Sequence, residues 1–215
     1  MVSEIISAIR QNKVIAIFRG VDVQSCTRVA QALYDGGIRL MELPYDQCAP
    51  ETWVQTAQTI GALAAEFAGK MYIGAGTVIT EEQAELTCHY GGHFVVSPDV
   101  NEAVIAKSCA LGLVSIPGAL TPTEILTAHR AGAHFVKVFP AGNMGSGYLK
   151  AVKAPASHVE LLAFGGIDES NIGAFLSAGA AGAGVGVALI RPEWVKNGEF
   201  DKIADAARKL TAAVK

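Results

Sequence analysis

The sequence predicts an α/β fold in which eight parallel strands close into a compact (β/α)8 TIM barrel with short loops. Eight short segments rich in apolar and β-branched residues alternate with helical patterns. Most of these segments are apolar at every position, as expected of parallel strands buried on both faces. Segments ending in a small residue and a glycine recur before strands, and Gly92, Gly112 and Gly132 lie twenty residues apart, the length of a minimal strand-plus-helix unit. A doubly wound open sheet is the alternative.

The individual strands and helices follow from local patterns. The predicted strands are residues 14–18, 38–43, 71–76, 93–97, 113–117, 134–139, 159–164 and 183–189. Residues 23–35 carry an apolar stripe typical of a surface helix. Helix starts with capping boxes are predicted at Thr80 with Gln83, Asp99 with Glu102, and Thr121 with Glu124, the last with Pro122 at the first helical position. Because no linker composition divides the chain, residues 1–215 are predicted to form one domain.

Composition excludes several classes of protein. Of 215 residues 51% are hydrophobic, which excludes disorder, and 20 acidic against 17 basic residues leave no positive field for nucleic acid or anionic lipid. No apolar run approaches the roughly 20 residues that span a bilayer, and Glu4 stands where a signal peptide would be basic. The four cysteines are spaced too widely for a zinc or redox motif and are expected to be reduced, so we expect a cytoplasmic protein.

Lys137 is the most informative charged residue. In a (β/α)8 barrel, catalytic residues lie at the carboxyl ends of the strands, where this sequence has few polar side chains. Lys137 interrupts the apolar strand HFVKVF, where an ammonium would lose most of its hydration. Desolvation lowers the pKa of a lysine and leaves free amine that can attack a ketone to form a Schiff base. The alternative is a lysine on an edge strand with its stem buried and its head in water.

Glu42 and Arg19 accompany this lysine. Glu42 interrupts the strand segment RLMEL and is a candidate general acid and base for imine chemistry, the alternative being a plain ion pair with Arg39 or Lys137. Arg19 follows the first strand and offers a planar fork for a substrate carboxylate, the alternative being a salt bridge at the barrel rim.

Glycines near the chain's end offer backbone amides to an anion. Gly165, Gly166 and Gly186 follow the last two strands, where barrels commonly bind phosphate, although close backbone packing is the simpler explanation for isolated glycines. The five histidines fall before strands or on helices, so no metal site is predicted. Asp99 is interpreted as the helix cap named above.

Seven motifs in fixed order carry a family resemblance. They are IAIFRG, LMELP, IGAGTV, VSPD, SIPGALTPTE, VKVFPAG and AFGGI. With these motifs the chain resembles, nearly end to end, the 2-keto-3-deoxy-6-phosphogluconate (KDPG) and 4-hydroxy-2-oxoglutarate (KHG) aldolase family. The resemblance implies reversible cleavage of a 4-hydroxy-2-oxo acid to pyruvate and an aldehyde. It also implies Entner–Doudoroff-type carbohydrate metabolism, a homotrimer, and no metal or organic cofactor.

The resemblance also implies roles for single residues. Lys137 would be the Schiff-base lysine, and Glu42 would move protons through a water. Arg19 and Thr77 would hold the carboxylate of the pyruvate moiety. Pro98 and Pro117 would shape the pocket, and Phe139 is counted with these substrate-binding residues.

The departures from the family pattern concern the far end of the substrate. Phe164 and Val187 replace a threonine and a serine that hold phosphate in many members, and Asp46 stands where some members carry arginine. Gly165, Gly166 and Gly186 could still hold an anion or a substrate tail with their amides, but with fewer hydrogen bonds. A non-phosphorylated or differently placed substrate is therefore a further hypothesis.

Two other functions compete with the aldolase hypothesis. One is a phosphate-binding barrel isomerase, epimerase or thiamin-phosphate-synthase-like enzyme without a covalent intermediate, because Gly-Gly-Ile after the seventh strand is widespread among such barrels. The other is a paralogue that binds an oxo acid without turning it over.

Overall fold

A computed structural model describes residues 1–19 and 23–214 as helices alternating with parallel strands. The strands are β1 (Val14–Ile17), β2 (Leu40–Pro44), β3 (Tyr72–Gly76), β4 (Phe94–Val96), β5 (Val114–Ile116), β6 (Gly118–Ala119), β7 (Val136–Val138), β8 (Leu161–Phe164) and β9 (Gly182–Val185). The helices are α1 (Val2–Asn12), α2 (Val23–Asp35), a 3-10 turn (Pro50–Thr52), α3 (Trp53–Glu66), α4 (Glu81–His89), α5 (Glu102–Ala110), α6 (Pro122–Arg130), α7 (Ala141–Met144), α8 (Ser146–Lys153), α9 (Ile172–Ser177), α10 (Pro192–Lys196) and α11 (Phe200–Ala213). Every predicted strand corresponds to an observed one.

The nine strands occupy the eight strand positions of a closed barrel, which we call staves. The sheet order is β5-β4-β3-β2-β1-β9-β8-β7-β6, and all pairs are parallel. β5 and β6 are two halves of one stave interrupted at Pro117, which has no backbone N–H. The β5 half pairs with β4, while the β6 half pairs with β7. The predicted TIM barrel is thus confirmed, and the open-sheet alternative is wrong.

Side-chain alternation separates two hydrophobic cores. One fills the barrel lumen, and the other lies between the sheet and the helices. Helix α1 covers the amino end of the barrel, because Ile5 and Ile9 belong to the lumen cluster. The lumen cluster further contains Ile15, Leu40, Phe94, Val96, Val114, Ile116, Phe135, Leu162 and Phe164. Because apolar side chains fill the amino end of the barrel lumen, polar groups at the carboxyl end lie above a closely packed core.

Two of the three predicted helix starts are confirmed. Capping boxes are present at Thr80 and Thr121. The predicted cap at Asp99 is wrong, since Asn101 caps α5 by accepting hydrogen bonds from Ala103 N and Val104 N. The carbonyl of Asp99 instead accepts from Gly118 N, which ties this residue to the neighbouring stave and delays the helix by two residues.

The last strand is shorter than predicted. β9 ends at Val185, whereas the apolar run extends to residue 189. The carbonyl of Gly186 accepts hydrogen bonds from Leu189 N and Ile190 N, so the chain turns directly after the strand. In the described residues no helix combines the length and the apolar character that a membrane span requires.

Gly184 allows the large Phe164 ring to fit inside the barrel. A Cβ at Gly184 would lie 2.0 Å from Phe164 Cε1. We expect Gly184→Ala to lower the free energy of unfolding by about 1–3 kcal/mol, the usual cost of overpacking a core. Gly147→Ala is the matched control, because a Cβ there meets nothing within 4 Å. Equal effects of the two substitutions in urea titrations would contradict this account of the packing.

Candidate active site

A cavity of about 510 Å³ opens at the carboxyl ends of the staves. Nine of the predicted site residues line it: Arg19, Glu42, Thr77, Pro98, Lys137, Phe139, Gly165, Gly166 and Gly186. They come from strands, or from loops that follow strands, in seven of the eight staves, so only the closed barrel brings them together. The tenth, Pro117, is not among the lining residues; it is buried, and its carbonyl accepts the hydrogen bond of Lys137 N at 2.8 Å.

Lys137 lies on β7, which is hydrogen bonded on both sides. Its backbone is in register with Gly118 on one side and Leu162 on the other. The edge-strand alternative is therefore wrong. The Lys137 Nζ atom lies 5.0 Å from the ring centroid of Phe139 and 4.9 Å from that of Phe164. Burial lowers the pKa of the Lys137 amine, the negative charge of Glu42 partly offsets this effect, and the positive charge of Arg19 adds to the lowering.

Glu42 is a buried carboxyl group directed into the same cavity. The residue is 2% exposed, and its Oε2 atom has no hydrogen-bond partner. Burial raises the pKa of Glu42 to about 7, against the opposing charges of Lys137 and Arg19. Gly76 leaves room for the carboxyl group, because a Cβ there would lie 2.7 Å from Glu42 Oε1.

The plain ion-pair interpretation of Glu42 has no support in the described part of the chain. No ion pair joins it to Arg39 or Lys137 there. The Arg39 guanidinium donates to the carbonyls of Tyr34 and Ile38 and stacks over the Tyr34 ring at 4.3 Å. A buried carboxyl group without a hydrogen-bond partner lowers the stability of the fold, so its presence points to a function. Glu42 is therefore a candidate for proton transfer.

Two further polar residues, Arg19 and Thr77, line the cavity. Arg19 is exposed and follows β1, and its charge acts on both Glu42 and Lys137. Thr77 follows β3 and has a left-handed backbone conformation with φ of 53°. A β-branched residue rarely adopts this conformation, which costs on the order of 1–3 kcal/mol and clusters at functional sites.

The lining contributed by the end of β8 and the loops after β8 and β9, which we call the tail end, is apolar apart from backbone groups and one carboxylate. Phe164 is buried, Val187 is 71% exposed, and both line the cavity. Asp168, which the sequence analysis missed, lines it as well. Hydrogen bonds from the Ser170 hydroxyl and backbone N–H lower the pKa of Asp168, which therefore carries a negative charge at neutral pH. No local sequence pattern distinguishes Asp168 from an ordinary loop aspartate.

Asp46 lies beside the cavity and not in it. It lines a neighbouring groove of about 280 Å³ that shares Arg19 and Pro44 with the larger cavity. Its carboxylate accepts a hydrogen bond from Cys48 N. Any repulsion of an anionic substrate tail by the Asp46 carboxylate would therefore act from the adjoining groove.

The histidines contribute nothing to this cavity. His93 and His134 precede strands, and His134 Nδ1 accepts a hydrogen bond from Ser115 N. Over residues 1–19 and 23–214, no three His, Cys, Asp or Glu side chains are grouped so that they could hold a metal ion.

Fold and cavity together define a (β/α)8-barrel protein whose site combines a buried amine with a buried carboxyl group. The chain belongs to the KDPG and KHG aldolase family, since the family model described as "KDPG and KHG aldolase" matches residues 5–206. Members of this family are aldolases, which are lyases, and this chain is an enzyme of that class.

Individual proteins agree with this assignment. The 2-dehydro-3-deoxy-6-phosphogalactonate aldolase of Escherichia coli K12 is 35% identical over 82% of this chain and 84% of its own length. A solved structure described as native KDPGal has a TM-score of 0.84 at 33% identity, covering 94% of this chain and 93% of its own. A designed protein cage made by fusing symmetric oligomeric domains has a TM-score of 0.83 at 33% identity, covering 94% of this chain and 71% of its own.

Proposed function

We propose that this protein is a class I aldolase that reversibly cleaves a 4-hydroxy-2-oxo acid, of the KDPG or KHG type, to pyruvate and an aldehyde through a Schiff base on Lys137. One observation carries the proposal: a desolvated amine and a buried, unpaired carboxyl group line the same cavity. The whole chain is proposed to act as one barrel domain.

Imine formation uses both groups. The neutral Lys137 amine attacks the C2 carbonyl of the oxo acid and forms a carbinolamine, while Glu42 supplies the proton that the departing hydroxyl needs to leave as water. The carboxyl group is suited to this role because burial raises the pKa of Glu42 to about 7, near the usual working pH. The product is a protonated imine between Nζ and C2.

Carbon–carbon cleavage then draws on the imine as an electron sink. The Glu42 carboxylate accepts the proton of the C4 hydroxyl, the C3–C4 bond breaks, and its electron pair moves toward the iminium nitrogen to give an enamine. The aldehyde leaves, Glu42 returns the proton to C3, and water hydrolyses the imine to release pyruvate. The reverse sequence forms the bond.

The remaining residues bind the substrate or shape the cavity that holds it. Arg19 and Thr77 hold the carboxylate of the oxo acid, and the guanidinium provides the charge for this contact. Pro98 and Phe139 form walls of the cavity. Pro117 supports the backbone of Lys137 through its carbonyl. Gly165, Gly166 and Gly186 present backbone to the substrate tail.

At the tail end of the cavity, a phosphate group on the substrate is expected to contribute little to binding. The side chains of Phe164 and Val187 supply no hydrogen-bond donor, and the Asp168 carboxylate repels an anion. We expect phosphorylated 4-hydroxy-2-oxo acids to exceed their unphosphorylated counterparts in kcat/KM by no more than about tenfold, or about 1.4 kcal/mol.

Val187→Ser restores one hydroxyl donor at the tail end and is expected to increase the preference for phosphate. Val54→Ser, on the exposed surface of α3, is the matched control and should leave the ratio unchanged. A large loss of kcat/KM when the phosphate is removed from the wild-type substrate would contradict this assignment.

An activity assay tests the proposal against the competing hypothesis of a paralogue that binds an oxo acid without cleaving it. Pyruvate release from a panel of 4-hydroxy-2-oxo acids, measured with coupled lactate dehydrogenase, separates the two functions. Aldol cleavage requires steady pyruvate release from at least one substrate. Imine formation without release would favour the binding paralogue, and isomerisation without imine formation would favour the phosphate-binding isomerase class.

We further propose that the enzyme works as a cytoplasmic homotrimer in carbohydrate metabolism of the Entner–Doudoroff type. The family resemblance supports this proposal, as does the similarity to a cage built from symmetric oligomeric domains. Among the described residues Cys48, Cys88 and Cys109 form no disulfide bond, as is common in a reducing compartment. Light scattering on the purified protein should give three times the mass of one chain.

A further inference from the structure

The strained Thr77 is held in place by neighbours on both sides. The carbonyl of Gly76 accepts a hydrogen bond from Tyr45 N at 2.9 Å, and Val78 N donates to Val96 O at 3.1 Å. These bonds fix the chain before and after Thr77 but leave its own carbonyl free to be bound. A residue in the left-handed region persists only where its surroundings determine it, so a partner for this carbonyl matters.

Gln47 is that partner. Its side-chain amide donates from Nε2 to Thr77 O at 2.7 Å, the shortest of the bonds around this turn. Its Oε1 in turn accepts from Gln83 Nε2 at 3.0 Å. Gln83 is fully buried at the start of α4, and its own Oε1 accepts from Ile79 N at 2.8 Å and from Thr80 N at 3.3 Å.

The orientation of the Gln47 and Gln83 side-chain amides is fixed by the backbone groups to which they bond. A backbone carbonyl can only accept, so Gln47 must present its NH2 group to Thr77. The N–H groups of Ile79 and Thr80 can only donate, so Gln83 must present its oxygen to them and its NH2 group to Gln47. A glutamate at position 47 would be isosteric, but when ionised it would place an acceptor against the Thr77 carbonyl. The arrangement therefore requires an amide at this position.

We propose that Gln47 is a positioning residue of the aldolase reaction, which sets the strained Thr77 so that it meets the carboxylate of the oxo acid. This inference rests on the proposed function, which assigns that carboxylate to Arg19 and Thr77. Gln47 is not among the residues that line the cavity, so it acts through Thr77 and not by touching the substrate. Its loss weakens binding of the carboxylate and leaves the Lys137 amine in place.

The test measures kcat and KM for pyruvate in the direction of aldol addition. Gln47→Ala removes the hydrogen bonds to Thr77 and from Gln83, and we expect it to raise KM for pyruvate about tenfold while kcat changes by less than about threefold. Gln47→Glu should raise KM at least as much despite its matching size. Gln58→Ala, which removes an exposed glutamine on α3, is the matched control and should leave both constants unchanged.

A double-mutant cycle with Thr77 separates positioning from general support of the fold. In a Thr77→Ala background, Gln47→Ala should add little further increase in KM, because the Thr77 hydroxyl that Gln47 positions is already absent. An unchanged KM in both Gln47 variants would overturn the inference, as would an equal effect with and without Thr77. Absence of any aldol addition by the wild-type enzyme would overturn the proposed function and, with it, this inference.

Discussion

Lys137→Met is expected to lower kcat for pyruvate release by at least about 10⁴-fold, the scale on which loss of a covalent nucleophile acts. Methionine retains the length of the side chain but has no amine that could form an imine. The protein should fold normally, because the substitution removes a desolvated charge from between the Phe139 and Phe164 rings and leaves an apolar side chain in its place.

Thermal melting provides the control for this prediction. We expect Lys137→Met to melt at the wild-type temperature or above it. Lys137→Arg is a second control that retains a positive charge without a nucleophilic amine, and it should be equally inactive. Cleavage at the wild-type rate by either variant would contradict the role assigned to Lys137.

Glu42→Gln is expected to lower kcat by about 10²–10⁴-fold, the usual contribution of general acid–base catalysis. The amide has nearly the shape of the carboxyl group but cannot exchange the proton. Because imine formation begins with a protonated Glu42, whose pKa burial raises to about 7, wild-type kcat/KM should fall as pH rises above about 7 and the carboxylate forms. This limb of the profile should be lost in Glu42→Gln. An unchanged profile would exclude Glu42 as the proton donor in imine formation.

The same carboxyl group makes stability depend on pH. Its pKa rises from 4.5 to about 7 on folding, so between these values the folded protein binds more protons than the unfolded chain. Stability contributed by Glu42 is therefore full below about pH 4.5 and is lost as pH rises to about 7, by on the order of 3 kcal/mol. Urea unfolding at pH 5 and pH 8 should show Glu42→Gln gaining stability over the wild type at the higher pH. Equal differences at both values would contradict the buried state of Glu42.

The barrel could be predicted from sequence because its signals are local. Apolar segments, glycines before strands and two capping boxes each report on a few neighbouring residues. One error arose where a contact distant in sequence decided the outcome, and the other arose where a local turn ended a strand inside an apolar run. Asp99 is tied to Gly118 in the next stave, and the chain turns after Val185 although the apolar run continues.

The candidate site could be predicted only in part, for a related reason. Lys137 and Glu42 stand out because each interrupts an apolar strand near the carboxyl end. The left-handed conformation of Thr77 and its contact with Gln47 arise from folding of separate loops, and no local pattern indicates them. Asp168 is indistinguishable in sequence from an ordinary loop aspartate until the barrel places it at the cavity.

The most direct test of the central claim is to incubate the protein with pyruvate and sodium borohydride and then map the modified residue by peptide mass spectrometry. Borohydride reduces an imine to a stable amine, so the account predicts one reduced pyruvyl group per chain, located on Lys137 and absent from Lys137→Met. No adduct, or an adduct only on other lysines, would contradict the Schiff-base mechanism.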